Sequence, residues 1–213
     1  MSPTPRPKVT PTPPAAFTTR SEHIRGYEAP LWRIFRSKGR HAPRWDELRT
    51  HGPVPGMRFD PHPLPRGEHP GSGVMYTSAF AITAFGEVYQ STRVIDRESE
   101  APVLVGWEPT RRLELLDLTT NWPVLNGAAA SMMMDDKVST QAWARAVNER
   151  LGTDIDGLYH QSSIDNQPMI TLFSRTESTP SFPPLPSFNA LLSHASADPI
   201  VEIAAERLGY DVV

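Results

Sequence analysis

The sequence predicts an α+β fold with a mixed central sheet and flanking helices. Strand-like and helix-like segments alternate irregularly along the chain, without the regular strand–helix repeat of a doubly wound sheet. The clearest helix covers residues 139–151, where Trp143, Val147 and Leu151 share one stripe and Gly152 marks the end. A hydrophobic fraction of 38% in 213 residues is enough for a packed core. These observations favour one domain with additions at its ends.

Apolar and β-branched runs bounded by turn residues predict six core strands. A helix should follow the second strand, with Ser78 as its N-cap and its end near Gln90. Residues 43–49 fit one or two helical turns, whereas residues 53–73 are rich in Pro, Gly and His and predict a long ordered loop. The six strands are predicted at residues 31–35, 73–77, 103–107, 113–118, 156–160 and 169–173.

The two ends of the chain differ from the core in composition. Residues 2–16 contain six prolines among polar residues, so residues 1–20 are predicted to form a disordered tail, with a partner-binding arm as the alternative. Residues 21–178 are predicted to form the core domain. Residues 179–213 are expected to supply a Pro/Ser-rich linker, a helix at 199–208 capped by Gly209 and a short strand at 210–213, both packing on the core.

Composition excludes several classes of protein. A formal net charge of −3 provides no overall basic field for direct nucleic-acid binding. The absence of cysteine excludes disulfides and thiolate-bound zinc, and fits a reducing compartment. No apolar run has the length of a signal core or a membrane span, so we expect a soluble, cytoplasmic protein. Whether the chain is monomeric or a homo-oligomer stays open.

The familiar nucleotide and metal motifs do not fit. Gly71-Ser72-Gly73 precedes a predicted strand instead of joining a strand to a helix, so it is interpreted as a turn. The loop histidines are expected to be mostly solvent-exposed, and they lack the spacing that places two metal ligands on one helix face, so no metal site is predicted. These histidines are His41, His51, His62 and His69.

Four separated residues provide the chemistry needed to break an N-glycosidic bond. The guanidinium of Arg58 suits a pyrophosphate, and Tyr76 at a strand end can stack on a flat ring. The carboxylate of Glu87 can stabilise positive charge that builds on a ribose, and Ser162 can orient either the carboxylate or the ribose. Structural roles on the surface or in the core are the alternative for each of the four residues.

The position of Glu87 on its predicted helix adds an expectation about its partner. Glu87 lies three residues after Ala84 and seven after Phe80, so it shares a stripe with apolar side chains. A carboxylate on such a stripe needs a cationic or hydrogen-bonding partner. Arg58 is the expected partner before a substrate binds.

Short motifs in a shared order resemble the RES-domain family over residues 31–175. Leu31-Trp32-Arg33-Ile34 is similar to the opening strand of the family, and Met57-Arg58-Phe59-Asp60 to its Gly-Arg-Trp-Asn element. Val74-Met75-Tyr76-Thr77 resembles a Val-Leu-Tyr strand, and Ala84-Phe85-Gly86-Glu87 an Ala-x-x-Glu helix. Gln141-Ala142-Trp143-Ala144, Asp156-Gly157-Leu158 through Ser162, and Ile170-Thr171-Leu172-Phe173 resemble its last segments.

The resemblance implies a fold related to ADP-ribosyltransferases and a reaction in which NAD⁺ is the substrate and no further cofactor is needed. It implies a toxin that depletes NAD⁺ by hydrolysis or phosphorolysis and is blocked by an antitoxin, often one with a helix-turn-helix domain. Under this resemblance Arg58 holds the phosphates, Tyr76 lines the nicotinamide pocket, Glu87 supports the ribosyl cation and Ser162 orients the substrate. Arg33 is a secondary candidate for binding NAD⁺, with a structural role as its alternative.

The chain departs from the family pattern at three places. Residues 61–73 form an insert between the Arg58 and Tyr76 motifs, Met57 replaces the motif glycine, and Ser163 stands where an Arg is frequent. Two other functions are compatible with the same residues. One is transfer of ADP-ribose to a macromolecule, and the other is a non-catalytic module that keeps the fold and has lost turnover.

Overall fold

The computed structural model describes residues 12–39 and 42–213, and it has the predicted α+β architecture. Its eight-stranded sheet has the order β1-β8-β9-β10-β5-β2-β7-β11. Two further pairs, β3 with β4 and β6 with β12, lie outside this sheet. The strands are β1 (Ile24–Tyr27), β2 (Leu31–Arg36), β3 (His51–Gly52), β4 (Gly67–Glu68), β5 (Val74–Ser78), β6 (Val94–Ile95), β7 (Pro102–Trp107), β8 (Leu113–Asp117), β9 (Gly157–Gln161), β10 (Pro168–Phe173), β11 (Phe188–Leu191) and β12 (Asp211–Val212).

Five α-helices and three short 3₁₀ segments accompany these strands in the described part of the chain. The helices are α1 (Ala81–Tyr89), α2 (Trp122–Leu125), α3 (Lys137–Leu151), α4 (Arg175–Ser178) and α5 (Asp198–Leu208), and the 3₁₀ segments are Ser21–His23, Ala130–Met134 and Ala195–Ala197. Gly209 ends α5 in the left-handed conformation, with φ 63°, as predicted. None of these helices is long and apolar enough to cross a membrane.

The sheet is mixed, and its pairing determines which strand ends meet. Strand β10 is antiparallel to both β5 and β9, so β5 and β9 run parallel to each other on either side of it. Strand β9 also pairs in parallel with β8. The carboxyl ends of β5 and β9 therefore lie at the same edge of the sheet, where β5 continues toward α1 and β9 continues into residues 162–167.

The two faces of the sheet bury different clusters. On one face, α3 packs through Trp143 and Val147 against Leu158 and Phe173, while α1 and α5 pack over β2, β7 and β11. The opposite face buries a separate cluster that includes Met75, Val105, Leu172 and the partly buried Trp45. Because side chains alternate along a strand, consecutive residues within β2 point to opposite faces of the sheet, and the same is true within β5.

Several local predictions were wrong. Residues 43–49 contain no helix. They form a non-helical turn at Trp45 and Asp46, and the indole of Trp45 packs edge-on against Trp107. Ser78 does not cap α1, because its hydroxyl donates to the carbonyl of Phe80, which is itself the N-cap residue. Strands β1 and β11 were not predicted. Both lie at the edges of the sheet, where pairing with β8 and β7 defines them.

Residues 12–20 contact the body of the protein, although they fall in the predicted disordered tail. The ring of Phe17 lies 5.0 Å from Trp122 and 5.8 Å from Trp143, centroid to centroid. The backbone N–H of Thr18 donates to Asn126 Oδ1 at 2.7 Å, and Thr19 Oγ1 accepts from Trp122 Nε1 at 2.9 Å. Residues 1–11 lie outside the described residues. The division of the chain at residues 20 and 178 remains a prediction.

Candidate active site

Glu87 and Ser162 meet in a direct hydrogen bond. The hydroxyl of Ser162 donates to Glu87 Oε1 at 2.6 Å. The same oxygen of Ser162 accepts the backbone N–H of Ile164 at 3.0 Å. Because that N–H can only donate and an ionised carboxylate can only accept, the hydroxyl proton is directed at Glu87. Ser162 is buried and Glu87 is partly exposed, so a buried hydroxyl holds the carboxylate of a residue that solvent can reach.

The parallel course of β5 and β9 brings these two residues together. Helix α1 follows β5 and residues 162–167 follow β9, at the same edge of the sheet. One turn before Glu87, Thr83 Oγ1 donates to Asp165 Oδ2 at 2.8 Å, which adds a second link between the helix and the loop. Gly86 permits the close approach, since a Cβ there would lie 3.2 Å from Ile164 Cγ2.

Arg58 and Tyr76 form a second contact on the same face of the sheet. The phenol of Tyr76 donates to the carbonyl oxygen of Arg58 at 2.7 Å. Burial raises the pKa of Tyr76 well above its ordinary value, so the phenol keeps its proton and remains a donor. Arg58 Nε is buried and has no hydrogen-bond partner within the described residues. A buried donor without a protein partner requires an explanation, and a bound anionic ligand would provide one.

His160 connects the two pairs and was not identified from the sequence. It lies two residues before Ser162 on β9, and its ring packs 4.8 Å from that of Phe59, next to Arg58. Burial lowers the pKa of His160 to about 4, the bond to the Gln161 carbonyl opposes this, and the positive charge of Arg58 lowers the pKa further. His160 is therefore neutral near pH 7, and its Nε2 shares a 3.0 Å hydrogen bond with Thr171 Oγ1.

The four primary candidate residues therefore lie on one face of the sheet. Thr171 pairs with both Tyr76 and Leu158, and His160 and Ser162 continue the alternation that begins at Leu158. Helix α1 covers the same face, because Ser78 of β5 pairs with Trp32, which packs in the cluster under α1 and α5. A cationic side chain and a hydrogen-bonded carboxylate thus flank the carboxyl ends of β5 and β9.

Comparisons with known proteins identify the family and a similar fold. The family model described as RES domain matches residues 30–186, which is most of the chain. The chain belongs to the RES-domain family. Among solved structures, one chain of the crystal structure of the M. tuberculosis MbcT–MbcA toxin–antitoxin complex is similar in fold, with a TM-score of 0.52 and 15% sequence identity. The similarity covers 83% of this chain and 90% of that chain. A comparison with curated proteins found no match.

The expected ion pair between Arg58 and Glu87 is not formed in this RES-domain protein. Within residues 12–39 and 42–213, these two residues share no salt bridge, and Glu87 instead accepts hydrogen bonds from Ser162 and, at 3.4 Å, from Gln90 Nε2. The carboxylate has a hydrogen-bonding partner, as predicted from its apolar stripe, but that partner is Ser162 and not Arg58. Ser162 is far from Glu87 in the chain, so no sequence motif near Glu87 indicates that Ser162 is its partner.

Arg33 lies on the opposite face of the sheet from Tyr76. Its Nη1 donates to the carbonyls of Trp45 and Glu47 at 3.3 and 3.4 Å, and its guanidinium lies over the ring of Phe35 at 5.3 Å. Burial lowers the pKa of Arg33 to about 10, while the carboxylates of Glu47 and Asp46 oppose this. Its contacts are those of a structural residue that anchors the 43–49 turn, the alternative given for it above.

The histidine prediction was wrong at one position. His62 is completely buried and contacts Asp60, whereas His51 and His69 are partly exposed and His41 lies outside the described residues. No group of three potential metal ligands of the His, Cys, Asp or Glu type occurs within the described part of the chain. An open surface cleft of about 450 Å³ lies elsewhere, between residues 152–153 and 174–179, and none of the candidate residues lines it.

Asp156-Gly157 of the family motif has a structural function. Asp156 is buried, and its carboxylate accepts from Arg111 Nη1 at 2.7 Å and from the backbone N–H of Glu114 at 2.9 Å. A side chain at Gly157 would overlap the carbonyl of Thr171 on the adjacent strand. This motif fixes the start of β9 and, through it, the position of Ser162.

Proposed function

We propose that this RES-domain protein is a toxin that consumes NAD⁺ by cleaving its nicotinamide N-glycosidic bond, and that an antitoxin neutralises it. The single observation that carries the proposal is the 2.6 Å hydrogen bond from Ser162 to Glu87. It orients a carboxylate, partly open to solvent, on the same face as the cation of Arg58. Cleavage of NAD⁺ can use both charges, because the cation pairs with the pyrophosphate and the carboxylate stabilises the charge that develops on the ribose.

Each residue has a defined role in the proposed reaction. Arg58 binds the pyrophosphate through its guanidinium, whose Nε has no protein partner in the described residues. As the bond between nicotinamide and C1′ of the ribose lengthens, positive charge builds on the ribose, and the Glu87 carboxylate stabilises it. Ser162 holds that carboxylate in place. Tyr76 supports the Arg58 backbone and lines the nicotinamide side of the site.

Measuring NAD⁺ loss and nicotinamide release by the purified protein, with and without phosphate, tests the reaction. We expect both signals from the wild type, and we expect Glu87→Gln to lower the rate by about 10²-fold or more, because the developing charge loses its counter-ion. Glu202→Gln is a matched control, since Glu202 is exposed on α5. Unchanged NAD⁺ with folded wild-type protein under both conditions would refute the proposal.

The acceptor of the ribosyl group is identified by the products. Free ADP-ribose indicates water, a phosphorylated ADP-ribose indicates phosphate, and label from NAD⁺ retained on a cell protein indicates transfer to a macromolecule. Tight NAD⁺ binding without cleavage indicates the non-catalytic module. We propose that the protein acts in the cytoplasm, because the NAD⁺ that it would deplete is present there.

The proposed partner is an antitoxin protein with a helix-turn-helix domain. The similar solved structure is described as a toxin–antitoxin complex, which supports a protein partner for this fold. Co-expression with the product of an adjacent gene should suppress toxicity and give a stable complex on gel filtration. Toxicity of the wild type and survival with Glu87→Gln, both without the partner, would connect the growth effect to the carboxylate.

A further inference from the structure

The loop that carries Arg58, residues 53–62, is organised around a buried carboxylate. Asp60 is completely buried, and its Oδ2 accepts from Arg49 Nη2 at 2.9 Å and from the backbone N–H of Val54 at 2.8 Å. Its other oxygen, Oδ1, bonds to Nδ1 of His62. A carboxylate buried this deeply is stable only when such donors surround it. The bond to Val54 closes the loop across Arg58, because the two bonded residues flank it in the chain.

His62 completes this arrangement from the insert at residues 61–73. Its side chain is fully buried, and its Nε2 lies 3.1 Å from the carbonyl oxygen of Arg49. Gly52 provides the space for the ring, since a side chain at that position would overlap the imidazole. The pairing of β3 with β4 joins the two flanks of this segment, with Gly52 opposite Gly67. The insert at residues 61–73 therefore contacts the start of the Arg58 loop through His62 and through the pairing of β4 with β3.

Gln141 and Phe59 also constrain the loop that carries Arg58. The Gln141 side chain on α3 donates to the carbonyls of Val54 and Met57 at 2.8 and 2.7 Å. Phe59 adopts a left-handed backbone conformation with φ 57° and buries its ring in the core. This conformation is unfavourable for a non-glycine residue, so surrounding contacts must maintain it. The conformation of Phe59 therefore constrains the backbone next to Arg58.

We propose that Asp60 and His62 are positioning residues that hold the Arg58 guanidinium in place for the diphosphate of a dinucleotide. The inference rests on the proposed function and deepens it. The insert, a departure from the family pattern, supplies the side chain that completes the support of the phosphate-binding arginine. Asp60 and His62 act through the loop backbone and do not themselves contact substrate.

Two substitutions at position 62 separate the two bonds of the imidazole. The amide nitrogen of asparagine occupies the position of Nδ1 and that of glutamine the position of Nε2, so His62→Asn keeps the bond to Asp60 and His62→Gln loses it. We expect His62→Gln to raise the KM for NAD⁺ by about tenfold with kcat within about threefold, because uniform phosphate binding is lost. His62→Asn should recover most of this loss, and Asp60→Asn should resemble His62→Gln.

Hydrogen exchange of the loop provides a second measurement that does not depend on turnover. We expect the amides of residue 54 and residues 56–60 to exchange about tenfold faster in His62→Gln, with α3 unchanged, because local opening becomes easier. His194→Gln is the matched control, since His194 is exposed and contacts Ser196 at the far end of the chain. If Asp60→Asn fails to fold, the comparison of the two position-62 variants decides.

Two results would overturn the positioning role. One is a folded His62→Gln protein whose KM and loop exchange equal those of His194→Gln. The other is a His62→Asn protein as impaired as His62→Gln, which would show that the bond to Asp60 is not what matters. If the wild type consumes no NAD⁺, the function proposed above is refuted, while amide exchange at residue 54 and residues 56–60 still reports whether Asp60 and His62 hold the loop.

Discussion

The hydroxyl of Ser162 and the carboxylate of Glu87 are 75 residues apart in the chain and 2.6 Å apart in space. Parallel strands β5 and β9 make this contact possible, because both end at the same edge of the sheet. The backbone N–H of Ile164 fixes the orientation of the hydroxyl. Glu87 is therefore positioned by the loop after β9 as well as by its own helix, and a change in that loop should affect the carboxylate.

Replacing Ser162 by alanine tests this relationship. Loss of a hydrogen bond to a charged group costs about 1.5–3 kcal/mol, which corresponds to a decrease in kcat of about 10- to 100-fold. KM for NAD⁺ should change little, because Arg58 still binds the phosphates. Steady-state kinetics of nicotinamide release measure both values. Ser163→Ala is the matched control, since Ser163 is the exposed neighbour in the same loop. Equal kcat values for the two variants would contradict the role of Ser162.

The link from Thr83 to Asp165 should support the same geometry. Thr83→Val preserves shape and removes the 2.8 Å hydrogen bond between α1 and the loop. We expect a loss of about 1 kcal/mol in the free energy of unfolding and a several-fold decrease in kcat, because Glu87 lies one turn further along α1. Urea unfolding and nicotinamide release measure the two effects. A variant with lower stability and unchanged kcat would show that this link has no part in positioning Glu87.

Arg33 and Arg58 should respond differently to replacement by lysine. Lysine lacks the forked guanidinium, so Arg58→Lys should raise the KM for NAD⁺ by about tenfold or more. Arg33→Lys should leave KM within about twofold and lower the free energy of unfolding by about 1 kcal/mol, because its bonds to the Trp45 and Glu47 carbonyls are structural. A rise in KM in a stable Arg33→Lys protein would show that Arg33 contributes to NAD⁺ binding.

Much of the fold could be predicted because the relevant patterns are local. The stripe of Trp143, Val147 and Leu151 predicted α3, and the apolar runs predicted the six inner strands to within one residue at each end. Strand β1 was missed because its four residues include Gly26 and become a strand through pairing with β8, far along the chain. Strand β11 follows a Pro/Ser-rich stretch that masks it. Such edge strands depend on tertiary pairing, which no short window of sequence records.

The candidate site could be predicted as a set of residues but not as a set of contacts. The motifs identified Arg58, Tyr76, Glu87 and Ser162, and chemistry assigned them roles. The pairing of Glu87 with Ser162 depends on sheet register, and the buried state of His62 depends on the space that Gly52 leaves. His160 had one usable signal, its position two residues before Ser162 on a predicted strand, which places both side chains on the same face.

The low pKa of His160 predicts a specific loss of stability in mild acid. Its pKa falls from 6.5 to about 4 on folding, so the unfolded chain binds more protons between these values. This contribution is fully present above pH 6.5 and is lost as the pH falls toward 4, for a total of about 3 kcal/mol. Urea unfolding at several pH values measures it. His160→Gln should flatten this part of the profile, whereas His194→Gln should not.

The buried carboxylates act in a lower pH range. Asp60 and Asp156 have pKa values below 3.8, because hydrogen bonds from their His and Arg partners outweigh the effect of burial. Their stabilisation is present above this value and is lost as the pH falls further. Burial raises the pKa of Glu177 above 4.5, which opposes the His160 effect in the window between about pH 6.5 and 4, so the comparison with His160→Gln isolates the His160 contribution. A wild-type profile in this window that matches the profile of His160→Gln would show that His160 does not need to be neutral.

Phe17 should contribute to stability even though it lies in a segment of tail-like composition. Its ring fits against Trp122 and Trp143, and the guanidinium of Arg150 lies 4.8 Å from its centroid. Because the ring is partly exposed, Phe17→Ala should lower the free energy of unfolding by about 2–3 kcal/mol, less than the loss of about 3–5 kcal/mol for a fully buried aromatic ring. Urea unfolding followed by tryptophan fluorescence measures the change. Leu185→Ala is the control, since Leu185 is 79% exposed. An unchanged unfolding midpoint for Phe17→Ala would show that this segment does not stabilise the core, and the predicted disordered tail would then extend to residue 20.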